Sequence, residues 1–259
     1  MTAQPAPETR SVRPRARRRF SVVSLLGELL ITAGVLVLLF LGWQLWLNDI
    51  IFGASQEQAA DELSELWEGE LPTPEDAAVQ PGTGDPVVMG APAANEAFAN
   101  LIVPRLGVDF KRPVAEGVAN AVLNNASLGT GHYPSTAMPG GIGNFALSAH
   151  RTAYGGSFHN IHQLVVGDAI FVETKDGWYK YIFRSLEYVR ANGVGVILPV
   201  PQQPGVEPTQ RLITLTTCNP FLSSAERIIA YGVYDSWQPL SAGPPAEIAA
   251  QVAAQAKAA

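Results

Sequence analysis

The chain contains one cysteine, Cys218, and a single thiol is the first residue to ask chemistry of. A thiol becomes nucleophilic when nearby positive charge favours the thiolate, and Arg227 follows nine residues later. Arginine cannot serve as a base, so its roles here are to bind a substrate backbone and to stabilise an oxyanion. A thiol acting on an amide also needs a proton donor for the departing amine, which calls for a histidine. Of His132, His150, His159 and His162, only His150 closes an apolar run, Asn144 to Ala149, making it the preferred partner. Taken singly, Cys218 reads equally well as a buried core thiol, and Arg227 as a surface charge beside Glu226. His159 and His162 have i, i+3 spacing, but catalytic zinc usually takes three protein ligands, and no metal or other cofactor is assigned.

These residues need elements to hold them. The run Leu212 to Thr217 has strand character and Cys218 ends it, because Pro220 lacks the N–H a sheet requires. A turn over 219–226 then lets the chain return with Arg227 at the thiol's end. Similar runs predict strands over 98–104, 144–150, 168–174, 178–189, 194–200 and 227–237. Lys175-Asp176-Gly177 is a hairpin signal, since Asp-Gly tolerates the positive φ of a tight turn. Brief helices are expected only at 118–124 and 158–164. Many short strands with few helices make a mostly β fold, a barrel or a sandwich.

The flanks differ in kind from this β-rich middle. Six arginines and one glutamate occupy residues 1–19, a basic segment expected in the cytoplasm. Residues 20–47 form an apolar run long enough for one transmembrane helix, with Glu28 its only charge and Trp43 and Trp46 near its far end. The shorter apolar core of a cleaved signal peptide is the competing reading. No Lys or Arg follows until Arg105, so the positive-inside asymmetry sets the N-terminus inside and the bulk outside the membrane. Residues 48–95 read as an extracytoplasmic acidic and Pro/Gly/Ala-rich tether, with Leu63, Leu66 and Trp67 marking a short helix over 55–70. Residues 241–259 read as a disordered tail and 96–240 as the folded domain. Of 17 basic and 23 acidic side chains, removal of those in the first nineteen residues leaves the remainder at −11, which argues against a nucleic-acid partner.

Two segments together resemble a known family. Thr214-Leu215-Thr216-Thr217-Cys218-Asn219-Pro220 with Arg227 is similar to the sortase Thr-Leu-x-Thr-Cys strand end and its following arginine, and Asn144 to Arg151 resembles the sortase histidine motif. Gly131-His132-Tyr133-Pro134, the run His150 to Gly155 and the short step from Cys218 to Arg227 look most like class E, the actinobacterial housekeeping type. Asn219 departs from the histidine often found after the cysteine in that class. The resemblance spans about 98–237 and implies an eight-stranded β barrel with short helices. It implies a transpeptidase in which Cys218 attacks the Thr carbonyl of a C-terminal sorting motif, with His150 protonating the leaving amine and Arg227 holding substrate and oxyanion. The thioester is then resolved by a peptidoglycan amine. The partners implied are surface proteins bearing Leu-Ala-x-Thr-Gly or Leu-Pro-x-Thr-Gly motifs, with Tyr133 and Thr217 near the substrate. Tyr133 is also readable as a loop aromatic packed on the barrel. Two rivals are a class C, pilin-polymerising sortase and a membrane-tethered β barrel that binds partners without catalysis.

Overall fold

The structure, a computed structural model, describes residues 21–43, 47–71 and 85–255. Residues 1–20, including the basic segment 1–19, residues 44–46 with Trp46, and residues 72–84 and 256–259 therefore lie outside the described residues.

Two units are present. In the first, helix α1 (Val22–Gly42) has a mean hydropathy of 2.4 and buries none of its residues. Its 21 residues at 1.5 Å rise match a hydrocarbon core of roughly 30 Å, so it is long and apolar enough to cross a membrane.

The second unit is an eight-stranded closed barrel with short helices. Its strands are β1 (Ala97–Ile102), β2 (Lys111–Glu116), β3 (Thr130–His132), β4 (Gly143–Ala149), β5 (Ala169–Glu173), β6 (Gly177–Arg190), β7 (Arg211–Asn219) and β8 (Glu226–Pro239). They close in the order β1-β2-β3-β4-β7-β8-β6-β5. Inward-facing alternate residues, such as Phe145, Leu147 and Ala149 on β4, Ile213 and Leu215 on β7, and Ile228 and Ala230 on β8, fill the interior. The pairs β2–β3 and β4–β7 are parallel and every other pair is antiparallel. Thr174 and Gly177 exchange both backbone hydrogen bonds around Lys175 and Asp176, closing the β5–β6 hairpin.

Several elements differ from expectation, each for a physical reason. Residues 194–197 form a 3₁₀ turn rather than a strand, and its Val196 and neighbouring Leu198 carbonyls accept from the buried Asn144 amide. The brief helices shorten to α3 (Asn120–Leu123) and a 3₁₀ turn at Ile161–Gln163. Strands β2 and β3 carry little apolar pattern. Lys111 and Arg112 sit in β2, both largely buried, because carboxylates from outside the barrel meet them.

Those carboxylates come from helix α2 (Asn48–Gly69), which replaces the expected tether over 48–69. Gly53, Gln56, Ala60, Ser64 and Trp67 form its buried stripe, at the i, i+3, i+4 and i+7 spacing of one helix face. Asp61 pairs with Lys111 at 2.8 Å and Glu57 with Arg112 at 2.7 Å. Ser64 Oγ donates to the buried Glu173 carboxylate at 2.5 Å, and Asn100 Nδ2 donates to both at 3.0 Å. Burial pushes the Glu173 carboxyl above its ordinary range, with Lys111 3.9 Å away opposing that shift.

A second apolar cluster on the outside of the barrel joins Trp67 to Ile102, Phe171, Trp178, Leu240 and Ile248. Ile248 belongs to the stretch 241–259 read as a disordered tail, and Leu240 is the residue just before it. There Leu240–Ala242 form a 3₁₀ turn and helix α4 spans Ala249–Gln255. Residues 85–89 are likewise fixed: Asp85 pairs with Arg211, and Tyr179 Oη donates to the Val87 carbonyl at 2.6 Å. The tail and this end of the tether lack apolar periodicity because each contributes only one or two anchoring residues to a surface made elsewhere.

Replacing Trp67 by alanine removes the largest α2 side chain from that outer cluster. The expected loss is about 3 kcal/mol of stability, read as a lower denaturant midpoint at unchanged m-value. A shift too small to measure would mean that α2 docks by its polar stripe alone.

Candidate active site

The site is assembled by strand register. In the parallel β4–β7 pair, Ser148 lies opposite Thr216. Continuing that register by two residues sets His150, just past β4, abreast of Cys218. In the antiparallel β7–β8 pair, Cys218 is directly opposite Arg227. Cys218 lies one residue out of phase with the inward-facing Ile213 and Leu215, and Arg227 one out of phase with Ile228. The three residues thus share the outer face at one rim, each half-buried.

Elements near the rim hold each residue. β7 stops at Asn219, as Pro220 requires, and the Arg227 Nη1 donates to the Ser224 and Glu226 carbonyls of the turn at 2.9 and 2.8 Å. Thr217 is buried, and its hydroxyl donates to the Ala149 carbonyl at 2.8 Å, locking the residue before the thiol to the residue before the histidine. Tyr133 Oη lies 3.1 Å from Thr216 Oγ1, two residues along the same face from Cys218. Of the two residues expected near the substrate, Tyr133 therefore flanks the thiol's face, and Thr217 sits beneath it as a strand-to-strand tie.

A second tier lies one residue out of phase with the first. Arg151 Nη1 donates to Asn219 Oδ1, and Asn219 Nδ2 donates to Glu226 Oε2 at 2.8 Å. These residues follow His150, follow Cys218 and precede Arg227, so Asn219 joins the three strand ends from behind. Its amide suits that place because it accepts from a cation on one side and donates to a carboxylate on the other.

Asn124, at the end of α3, was not singled out from sequence; its Oδ1 lies 2.8 Å from His150 Nε2. No spacing pattern pointed to it, because α3 and β4 meet only through the barrel. The ring of His150 also packs against Tyr154, tilted at 36° with centroids 5.3 Å apart. Residues 153–156 all have positive φ, of 65°, 51°, 90° and 49°, and two of them are Ala153 and Tyr154. Each non-glycine residue in that region costs about 1–2 kcal/mol, so the loop after His150 persists only because its surroundings fix it.

Two of the other histidines, His132 and His159, are otherwise engaged. His132 is buried, with Nδ1 2.6 Å from Glu116 and Nε2 2.8 Å from Thr136 Oγ1. His159 packs edge-on to Phe221. His150 is thus the histidine that the register brings to the thiol. Burial lowers its basicity, and the negative charge of Asp49 opposes that shift.

Comparison with known proteins agrees with this geometry. Residues 101–235 match the Sortase domain family. The chain is 37% identical over 226 residues to Sortase SrtE1 of Streptomyces coelicolor, a match covering 85% of this chain. The chain is a class E sortase. It spans about three-fifths of the length of SrtE1, since the match covers 59% of that relative. Among solved structures, the SrtA sortase from Actinomyces oris superposes with a TM-score of 0.60 at 36% identity, covering 64% of this chain and 95% of the other. Sortase E1 from Streptomyces coelicolor, solved with a tripeptide in its active site, gives 0.55 at 38% identity, covering 61% and 99%. In this sortase the second tier shows the structural use of Asn219.

An NMR titration of the His150 ring is expected to give a midpoint below 6.5, the ordinary histidine value. Because the folded ring resists protonation, its contribution to stability is present above pH 6.5 and is lost as the pH falls through the depressed folded value. A midpoint at or above 6.5 would mean that attraction to Asp49 outweighs burial.

Proposed function

We propose that this sortase is a cysteine transpeptidase that cuts between Thr and Gly of a C-terminal sorting motif, of the Leu-Ala-x-Thr-Gly or Leu-Pro-x-Thr-Gly type. It then joins the Thr carbonyl to a peptidoglycan amine. The single observation that carries this reading is the register that sets His150, Cys218 and Arg227 side by side at the ends of three neighbouring strands.

In the first half-reaction the Cys218 sulfur forms a bond to the Thr carbonyl carbon as its proton passes to His150. The Thr–Gly C–N bond then breaks, His150 gives a proton to the departing Gly amine, and a thioester remains on Cys218. In the second half the acceptor amine attacks that carbonyl. Its proton passes to His150, the C–S bond breaks, and the departing sulfur takes that proton back, restoring the Cys218 thiol. Arg227 serves both halves by neutralising the oxyanion of each tetrahedral intermediate, a role its fixed charge suits because it never takes up the reaction's protons. Tyr133 lines the substrate path beside Thr216, while Thr217 acts as a positioning residue through Ala149. Helix α1 anchors the enzyme as a single pass, with the N-terminus cytoplasmic and the barrel outside, where both the sorting motif and the acceptor are met.

The test is acyl-enzyme trapping on the full chain, using Leu-Ala-x-Thr-Gly and Leu-Pro-x-Thr-Gly peptides with and without a free amine. Intact mass spectrometry is expected to find the peptide minus its Gly segment on wild-type protein, lost on adding amine and absent from Cys218→Ala. Adduct formation with Arg227→Ala is expected to fall about 10²–10³-fold, the usual cost of removing an oxyanion contact. Failure of both peptides to give any Cys218-linked adduct would overturn the reading.

A further inference from the structure

Helix α2 lies outside residues 101–235, the segment matched by the sortase family. It nevertheless reaches the loop that follows the catalytic histidine. Asp49, in its first turn, accepts from the backbone N–H of Ala153 at 3.0 Å and of Gly155 at 3.3 Å. Phe52, one turn on, meets Tyr154 edge-to-face at 5.7 Å, and Tyr154 in turn packs against His150. Gln56, a further turn along and fully buried, donates to the Tyr154 carbonyl at 2.9 Å and to the Asn125 carbonyl at 3.3 Å. It also accepts from Ser157 Oγ at 3.2 Å. Asn125 follows Asn124, the residue that holds His150 Nε2.

The fit around Gln56 is tight. A Cβ at Gly155 would lie 2.7 Å from Gln56 Oε1, and one at Gly129 would run into its Nε2. Both glycines have positive φ and both face the same amide. The loop bearing the left-handed Ala153 and Tyr154, and the turn bearing Asn124 and Asn125, are thus tied to one helix face by residues at i, i+3 and i+7.

We infer that Asp49 and Gln56 are positioning residues for His150, so that helix α2 is a working part of the active site rather than a spacer leading to it. Asp49 fixes the loop behind the imidazole, and Gln56 fixes that loop and the Asn124 turn to each other. The ring is thereby held from both sides. Asp61, three turns from Asp49 on the same helix, pairs instead with Lys111 on β2, and supplies a natural comparison. The inference rests on the transpeptidase reading for its kinetic readout, but the positioning itself is measurable without activity.

Full-length protein in nanodiscs is compared as wild type, Asp49→Ala, Asp49→Asn, Gln56→Ala and Asp61→Asn. Amide hydrogen exchange over 150–156 is expected to quicken in Asp49→Ala and Gln56→Ala and to stay at the wild-type rate in Asp61→Asn. In peptide transpeptidation, kcat is expected to fall about ten- to a hundredfold in Asp49→Ala and Gln56→Ala, with KM within about twofold, as misplacement of a catalytic group rather than loss of substrate binding requires. Asp49→Asn keeps one of the two acceptor oxygens and is expected to fall between. The proposal is overturned if exchange over 150–156 is the same in Asp49→Ala as in wild type. It is overturned too if Asp61→Asn lowers kcat as far as Asp49→Ala does, which would make α2 a general stabiliser. A wild-type protein that forms no adduct with any sorting peptide removes the transpeptidase reading alone, and the exchange comparison then decides the positioning.

Discussion

The parallel pairing of β4 with β7 is the constraint on which the site depends. In an antiparallel sheet, neighbouring strands end at opposite rims, so two strand ends do not meet except through a turn. Here the chain leaves β4, builds β5 and β6, and returns so that β7 runs alongside β4 in the same direction. Both strands therefore finish at one rim, the first delivering His150 and the second Cys218. The antiparallel β8 then begins at that rim and brings Arg227. Because the side chains on one face alternate with a period of two, a slip of one residue in either pairing would turn a member of the trio inward. Inward-facing Leu147, Ala149, Ile213, Leu215 and Ile228 oppose such a slip, since it would expose them.

The same reasoning separates what the sequence discloses from what it hides. β7 and β8 are legible because their information is local: apolar runs, a proline at the break, and an arginine a short turn away. β4 is legible for the same reason, and so His150, Cys218 and Arg227 can be singled out before any coordinates. β2 is not, because Lys111, Arg112 and Glu116 read as solvent-facing until partners from α2 and His132 are known. Helix α2 hides for the converse reason. Its buried face carries Gln56 and Ser64, so a search for an apolar stripe finds only its C-terminal end. Asn124 leaves no trace in any pattern, since its significance is a contact across 26 positions.

Polar burial has a consistent place in this molecule. The seam between α2 and the barrel contains Gln56, Ser64, Asn100, Lys111 and Glu173, all but excluded from water; Ser64, Asn100 and Glu173 hydrogen-bond to one another, Lys111 to Asp61, and Gln56 to the loop after His150. Such a seam contributes little net stability compared with an apolar one, but it tolerates a single alignment of helix against sheet. Apolar contact through Trp67 sets the helix down, and the polar groups fix where along the barrel it rests.

The two pairings that matter most for shape, β1 with β5 and β4 with β7, join residues about seventy positions apart, Leu101 with Val172 and Ser148 with Thr216. Contacts so distant in sequence form late, after much of the chain's loop entropy has been lost. The imidazole and the thiol consequently come together only as the barrel closes. A chain still folding carries Cys218 and His150 on separate, unpaired segments, and so assembles the proposed site only when it gains its native topology.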